Sequence, residues 1–104
     1  MNTERIKMLE QFVKEDPSDP FSIYALALEY QHDNIQKAAG LFDLLLNEHP
    51  NYLPTYYIAG GFYADQSKPE RALEILRKGL VVARTQNDLG SARELQAAIQ
   101  NLED

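Results

Sequence analysis

One unit is written twice in this chain. Ala27-x-x-Tyr30 and Gly60-x-x-Tyr63 each set a small residue three positions before a tyrosine, and Ala38 and Ala72 each open the stretch that follows. The tyrosines stand 33 residues apart and the alanines 34. A period of this size marks stacked helix–turn–helix units. Such a unit cannot bury its apolar face alone, so it occurs in arrays whose surfaces take up other proteins. The expected fold is all-α, a superhelix of about six helices in a single domain over residues 1–104.

No stretch alternates apolar and polar residues over a strand's length; the apolar spacing is helical throughout. Six helices follow. The first covers 3–15, with Ile6, Leu9, Phe12 and Val13 on one side and Glu4, Lys7, Glu10, Gln11 and Lys14 on the other. Asp16-Pro17-Ser18-Asp19-Pro20 ends it, because a residue before proline avoids the helical region. Asp19 then caps a second helix with Pro20 at its first position, running to about 31. A turn at 32–34 leads to a third helix over 35–47, closed by Pro50. A fourth runs from 54 to 65. Ser67-Lys68-Pro69-Glu70 reads as a capping box that starts a fifth helix at Ser67. This one continues to about 84. The sixth covers 89–102, capped by Asp88 or Ser91, with Ala92, Leu95, Ile99 and Leu102 as a narrow apolar seam. The outer helices have a polar back, as the ends of a repeat stack require. The inner ones are apolar on more than one side.

These positions resemble the tetratricopeptide repeat (TPR), whose unit sets a large residue, a Leu–small pair, an aromatic, then Ala, an aromatic and Pro at fixed offsets. The first unit reads Ile23, Leu26-Ala27, Tyr30, Ala38, Phe42 and Pro50, with a turn one residue short. The second reads Tyr56, Ala59-Gly60, Tyr63, Ala72 and Leu76, with Arg84 where proline would stand. The resemblance covers about residues 18–85. It implies repeats over 20–52 and 53–86 between capping helices over 3–16 and 88–102. In it the small residues let paired helices approach, and the tyrosines fill space between units. The alternative is a helical bundle without repeats.

The resemblance also implies a concave groove lined by the first helix of each unit. Helix two is apolar almost all round, with only Ser22 and Glu29 strongly polar after Pro20. Beyond its core face it carries a second stripe of Phe21, Tyr24 and Leu28. The matching stripe on helix four is Tyr57, Gly61 and Ala64/Asp65. Candidate protein- or peptide-binding residues are therefore Phe21, Tyr24, Leu28, Gln31, Tyr57, Gly61 and Asp65. Gly61 is an extra glycine in a helix interior, costing roughly 1 kcal/mol against alanine. Room for an incoming side chain would compensate. Two readings compete: the stripe binds a peptide or a second copy, or the chain's own terminal helices cover it. The basic clamp by which some TPR proteins grip a C-terminal carboxylate is missing, since Tyr24, Leu28 and Ile58 occupy its places. Arg71, Arg77, Lys78 and Arg84 fall on helix five as a solvated face, with Glu74–Lys78 as an expected ion pair.

Composition narrows the function further. Net charge is −6, spread along the chain, which argues against nucleic-acid binding and against anionic membranes. There is no cysteine, which removes disulfides and thiol chemistry and leans toward a reducing, cytoplasmic setting. The N-terminal residues lack the features of a signal peptide, and no apolar run is long enough to span a bilayer. His32 and His49 sit alone at turns and form no metal-ligand spacing. No phosphate loop, nucleophile elbow or distinct acid–base pair is present. The expectation is a non-catalytic, adaptor-like interaction module with no cofactor and no metal. Its partner is a protein, a peptide or a second copy of itself, not nucleic acid or membrane.

Overall fold

The computed structural model describes residues 2–104. Its helices are α1 (Thr3–Glu15), α2 (Pro20–Tyr30), α3 (Ile35–Glu48), α4 (Pro54–Asp65), α5 (Pro69–Thr85) and α6 (Leu89–Glu103), and no strand occurs among the described residues. The chain forms two compact units, Met1–Tyr52 and Leu53–Asp104.

In the first unit α2 packs against both α1 and α3. Ile6 and Leu9 of α1, Ile23, Leu26, Ala27 and Tyr30 of α2, and Ala38, Phe42 and Leu45 of α3 are buried. Arg5 of α1 reaches Glu29 of α2 across 2.5 Å. Both groups are partly wet, so the pair adds at most about 1 kcal/mol and apolar burial holds the unit together.

In the second unit α5 packs against α4 and α6, and α6 also touches α4. Tyr56, Ala59, Phe62 and Tyr63 of α4 meet a buried row of Ala72, Ile75, Leu76, Leu80 and Ala83 on α5. Leu95 and Ile99 of α6 complete the core. Two glycines set the helix spacing. A Cβ on Gly60 would lie 2.5 Å from a methyl of Leu76, and one on Gly79 would lie 2.4 Å from the Cβ of Tyr56. The α5 helix does run on through Val81, Val82 and Ala83 to Thr85, past the point where Arg84 replaces proline.

Side-chain caps start four helices. Asn2 accepts from Arg5 N–H at 3.0 Å, Asp19 from Phe21 N–H at 3.0 Å, Asn34 from Lys37 N–H at 3.2 Å and Asp88 from Ser91 N–H at 3.0 Å. Asp88, not Ser91, is thus the cap of α6. The capping box expected at Ser67 does not form. Helix α5 starts at Pro69 after Lys68, with no side-chain cap. Ser67 instead closes α4: its φ is +60°, its N–H bonds Ala64 C=O, and Lys68 N–H bonds Tyr63 C=O. That is a Schellman ending, and it claims Ser67 before α5 can. Asn87 repeats the motif after α5, with φ +58° and with Asp88 N–H bonding Ala83 C=O. The ion pair expected at Glu74–Lys78 is also replaced, because Glu74 pairs with Arg71 one turn earlier.

Candidate functional site

The candidate stripe on α2 separates into distinct environments. Phe21 is 63% exposed at the start of the helix, whereas Tyr24 and Leu28 are half-buried and Gln31 is the half-buried C-cap. Tyr24 packs edge-on against Tyr52 with ring centroids 5.7 Å apart. Burial raises the phenol pKa of both tyrosines; each is pushed further by a neighbour, Tyr24 by Tyr52 and Tyr52 by Asp19. Both phenols therefore stay neutral in ordinary buffers. Tyr24 is partly structural, since its ring helps seat the segment that follows α3.

On α4 the stripe is more open. Tyr57 is 48% exposed, and Gly61 and Asp65 are exposed one and two turns later. A Cβ on Gly61 would meet nothing within 4 Å. Gly60 beside it is needed for contact with Leu76, whereas no described atom of its own unit requires Gly61 to lack a side chain. The adjacent glycines thus have opposite surroundings: one faces the core of its own unit, the other faces open space.

The first unit carries a surface that the sequence reading did not single out. Met8 and Phe12 of α1 are 46% and 44% exposed, and with Phe21 they line a groove of about 550 Å3 between α1 and α2. Glu15, Asp16 and Asp19 stand along the same groove. Phe12 shares the apolar side of α1 with Ile6 and Leu9, yet it is exposed where those two are buried. The missed signal was Met8 and Phe12, four residues apart and hence on one face, beside the Ile6–Leu9 seam. A second hollow of about 310 Å3 lies over Leu26, Tyr30, Lys37 and Gly40. His49 borders two shallow hollows near Pro20 and Leu44 and joins no metal-binding cluster. No group of three metal-ligating side chains occurs among the described residues, and none of their helices is long and apolar enough to cross a membrane.

The two units also repeat a contact. Lys37 of α3 lies over the Tyr30 ring at 5.2 Å, and Arg71 of α5 lies over the Tyr63 ring at 5.5 Å. Each tyrosine is buried and capped by a cation from the next helix, which matches the doubling read in the sequence.

Solved structures share this all-α fold. A crystal structure of a tetratricopeptide repeat domain protein from Salinibacter ruber matches with a TM-score of 0.77 and 37% identity, covering 82% of this chain and 97% of that one. The chain belongs to the tetratricopeptide repeat family. A solution NMR structure of a tetratricopeptide repeat domain protein from the same organism matches with a TM-score of 0.79 and 38% identity, covering 85% of this chain and 90% of that one. No protein-family model matches the sequence, and no curated protein matches it. TPR membership makes the chain a helical repeat module of a kind generally involved in protein interaction.

Proposed function

We propose that this TPR chain is a non-catalytic protein-interaction module that takes up a peptide or protein segment on exposed faces of its repeat helices. The proposed repeats are 20–52 and 53–86, with α1 and α6 as the capping helices. The observation that carries the reading is Tyr57 with Gly61. An exposed aromatic stands one turn from a glycine that no described atom of its own unit requires. A bare interior glycine costs roughly 1 kcal/mol, and space for an incoming side chain offsets that cost. Asp65 at the end of the same face supplies an acceptor for a polar rim. The lack of cysteine fits a cytoplasmic setting.

A peptide-display selection on the purified protein tests this directly. Selected peptides should bind the parent and lose at least about tenfold in affinity to Gly61→Leu and to Tyr57→Ala, with far-UV circular dichroism unchanged. Tyr57→Ala is a cleaner probe than Tyr24→Ala, because the Tyr24 ring also packs on Tyr52. Light scattering separates the alternative in which a second copy covers the face. A stable dimer that Gly61→Leu dissociates would favour self-assembly. Peptides whose binding ignores both variants would remove Tyr57 and Gly61 from the site.

A further inference from the structure

We propose that the groove between α1 and α2 is a second docking site, specific for an amphipathic helix with apolar residues on one face and lysine or arginine beside them. The proposal deepens the interaction-module reading and rests on it. The groove lies wholly within the first unit, and its walls come from α1, the 16–19 linker and α2 alone. Met8, Phe12 and Phe21 leave large apolar areas bare there, at 46%, 44% and 63% exposure. Phenylalanine offers a rigid anchor, and methionine adapts to the shape of what it meets. Laying the apolar face of a helix into such a groove is a recurring mode of recognition.

Charge selects the occupant. Glu15, Asp16 and Asp19 stand at the end of the groove where α1 gives way to α2. Their hydrogen-bond donors are all neutral: the Gln11 amide for Glu15, Ser18 for Asp16, and Phe21 N–H with the Ser22 hydroxyl for Asp19. None has a cationic partner among the described residues. The cation in the groove lining, Arg5, is already paired with Glu29. A basic side chain arriving beside Phe12 and Phe21 therefore meets uncompensated negative charge at a short range that salt screens only in part. A second copy carrying the same net charge of −6 is the poorer match.

The test uses three synthetic peptides of about four helical turns. One carries leucines at i, i+4 and i+7 with lysines and arginines between them. The second is a scramble of the same composition, and the third replaces every basic residue with glutamate. Fluorescence anisotropy is read at low and at physiological salt. The basic amphipathic peptide should bind about tenfold tighter than either control, and less tightly as salt rises. The Phe12→Ser/Phe21→Ser variant should lose that binding about tenfold or more. The Glu15→Gln/Asp16→Asn/Asp19→Asn variant, in which asparagine keeps the capping acceptors, should bind more weakly and with a flatter salt dependence. Circular dichroism confirms that both variants fold.

Equal binding of the basic and acidic peptides would overturn the proposal. So would binding that Phe12→Ser/Phe21→Ser leaves unchanged, or a dimer that this variant dissociates. Binding that Tyr57→Ala abolishes, and that the groove variants do not touch, would overturn the groove alone and leave the interaction-module reading standing. A display selection that yields no binder would count against that broader reading.

Discussion

The backbone of Gly79 on α5 lies directly against the Tyr56 side chain on α4: a Cβ at Gly79 would fall 2.4 Å from the Tyr56 Cβ and 3.3 Å from a Leu95 methyl. Tyr56 and Leu95 are both buried, so neither can swing away into solvent. Gly79→Ala should therefore destabilise the second unit. Alanine gains roughly 1 kcal/mol in helix propensity, but overpacking a filled core costs typically about 1–3 kcal/mol. Gly60→Ala, pressing on Leu76 Cγ and Cδ2 at 2.6 and 2.5 Å, should behave alike. Denaturant melts of the two variants check this, and a midpoint above the parent for either would refute the close-approach account.

Gly40 and Gly61 should respond in the opposite direction. A Cβ at either meets nothing within 4 Å, and both residues are exposed inside helices. Alanine at each should stabilise the protein by up to about 1 kcal/mol. For Gly61→Ala the combined result is the informative one. A raised melting midpoint together with weakened peptide binding would show that the glycine is kept for the partner and not for the fold.

The difference among these glycines marks how far the sequence could be read. Helical periodicity and proline punctuation placed the six helices to within about two residues, because each signal is local to its own element. Asp19 and Pro20 announced the start of α2, and the repeat spacing announced Tyr30 and Tyr63 as buried equivalents. Gly60 and Gly61 are neighbours with the same side chain, however, and only their orientation decides which one touches Leu76. Gly79 gave no signal at all, since its partner Tyr56 is distant in sequence. Ser67 misled because two local rules competed for it, and the helix ending before it prevailed over the helix starting after it. Phe12 shows the same limit at the α1–α2 groove: periodicity put it on an apolar face, but only packing showed that nothing in its unit covers that face.

Ser67 holds a left-handed backbone, with φ +60°, where glycine would be unstrained. Placing a residue with a Cβ there costs roughly 1–2 kcal/mol, part of which glycine returns as unfolded-state entropy. Ser67→Gly should raise stability by about 0.5–1 kcal/mol. Asn87, at the equivalent position after α5, tolerates this conformation better, so Asn87→Gly should gain less. Paired thermal melts check the order of the two variants.

Asp88 should give acid stability a local signature. Its carboxylate accepts from Ser91 N–H and from the Ser91 hydroxyl, and the backbone bond first, then the side-chain bond, lowers its pKa from 3.8. A group whose pKa falls on folding stabilises the folded state above its unfolded value and loses that contribution as pH drops through its folded value. The melting temperature of Asp88→Ala should therefore lie below that of the parent at neutral pH. The gap should hold down to about pH 4 and narrow at more acidic pH, where the protonated carboxyl keeps only an uncharged acceptor. Asp88→Asn retains a capping acceptor that does not titrate, so it should stay near the parent at neutral pH without this acid-dependent component.

Thr55 is fully buried near the start of α4, and its hydroxyl has no hydrogen-bond partner among the described residues. Desolvating a hydroxyl without a compensating bond costs about 1–3 kcal/mol in proteins. Valine has nearly the same shape and carries no polar atom there, so Thr55→Val should be stabilising, by about 1 kcal/mol. A Thr55→Ser control separates the two contributions: it keeps the unpaired hydroxyl, removes a buried methyl and should be less stable than the parent. Chemical denaturation of the three proteins orders them valine, threonine, serine if this is right. A valine variant less stable than the parent would mean that the hydroxyl is satisfied in solution.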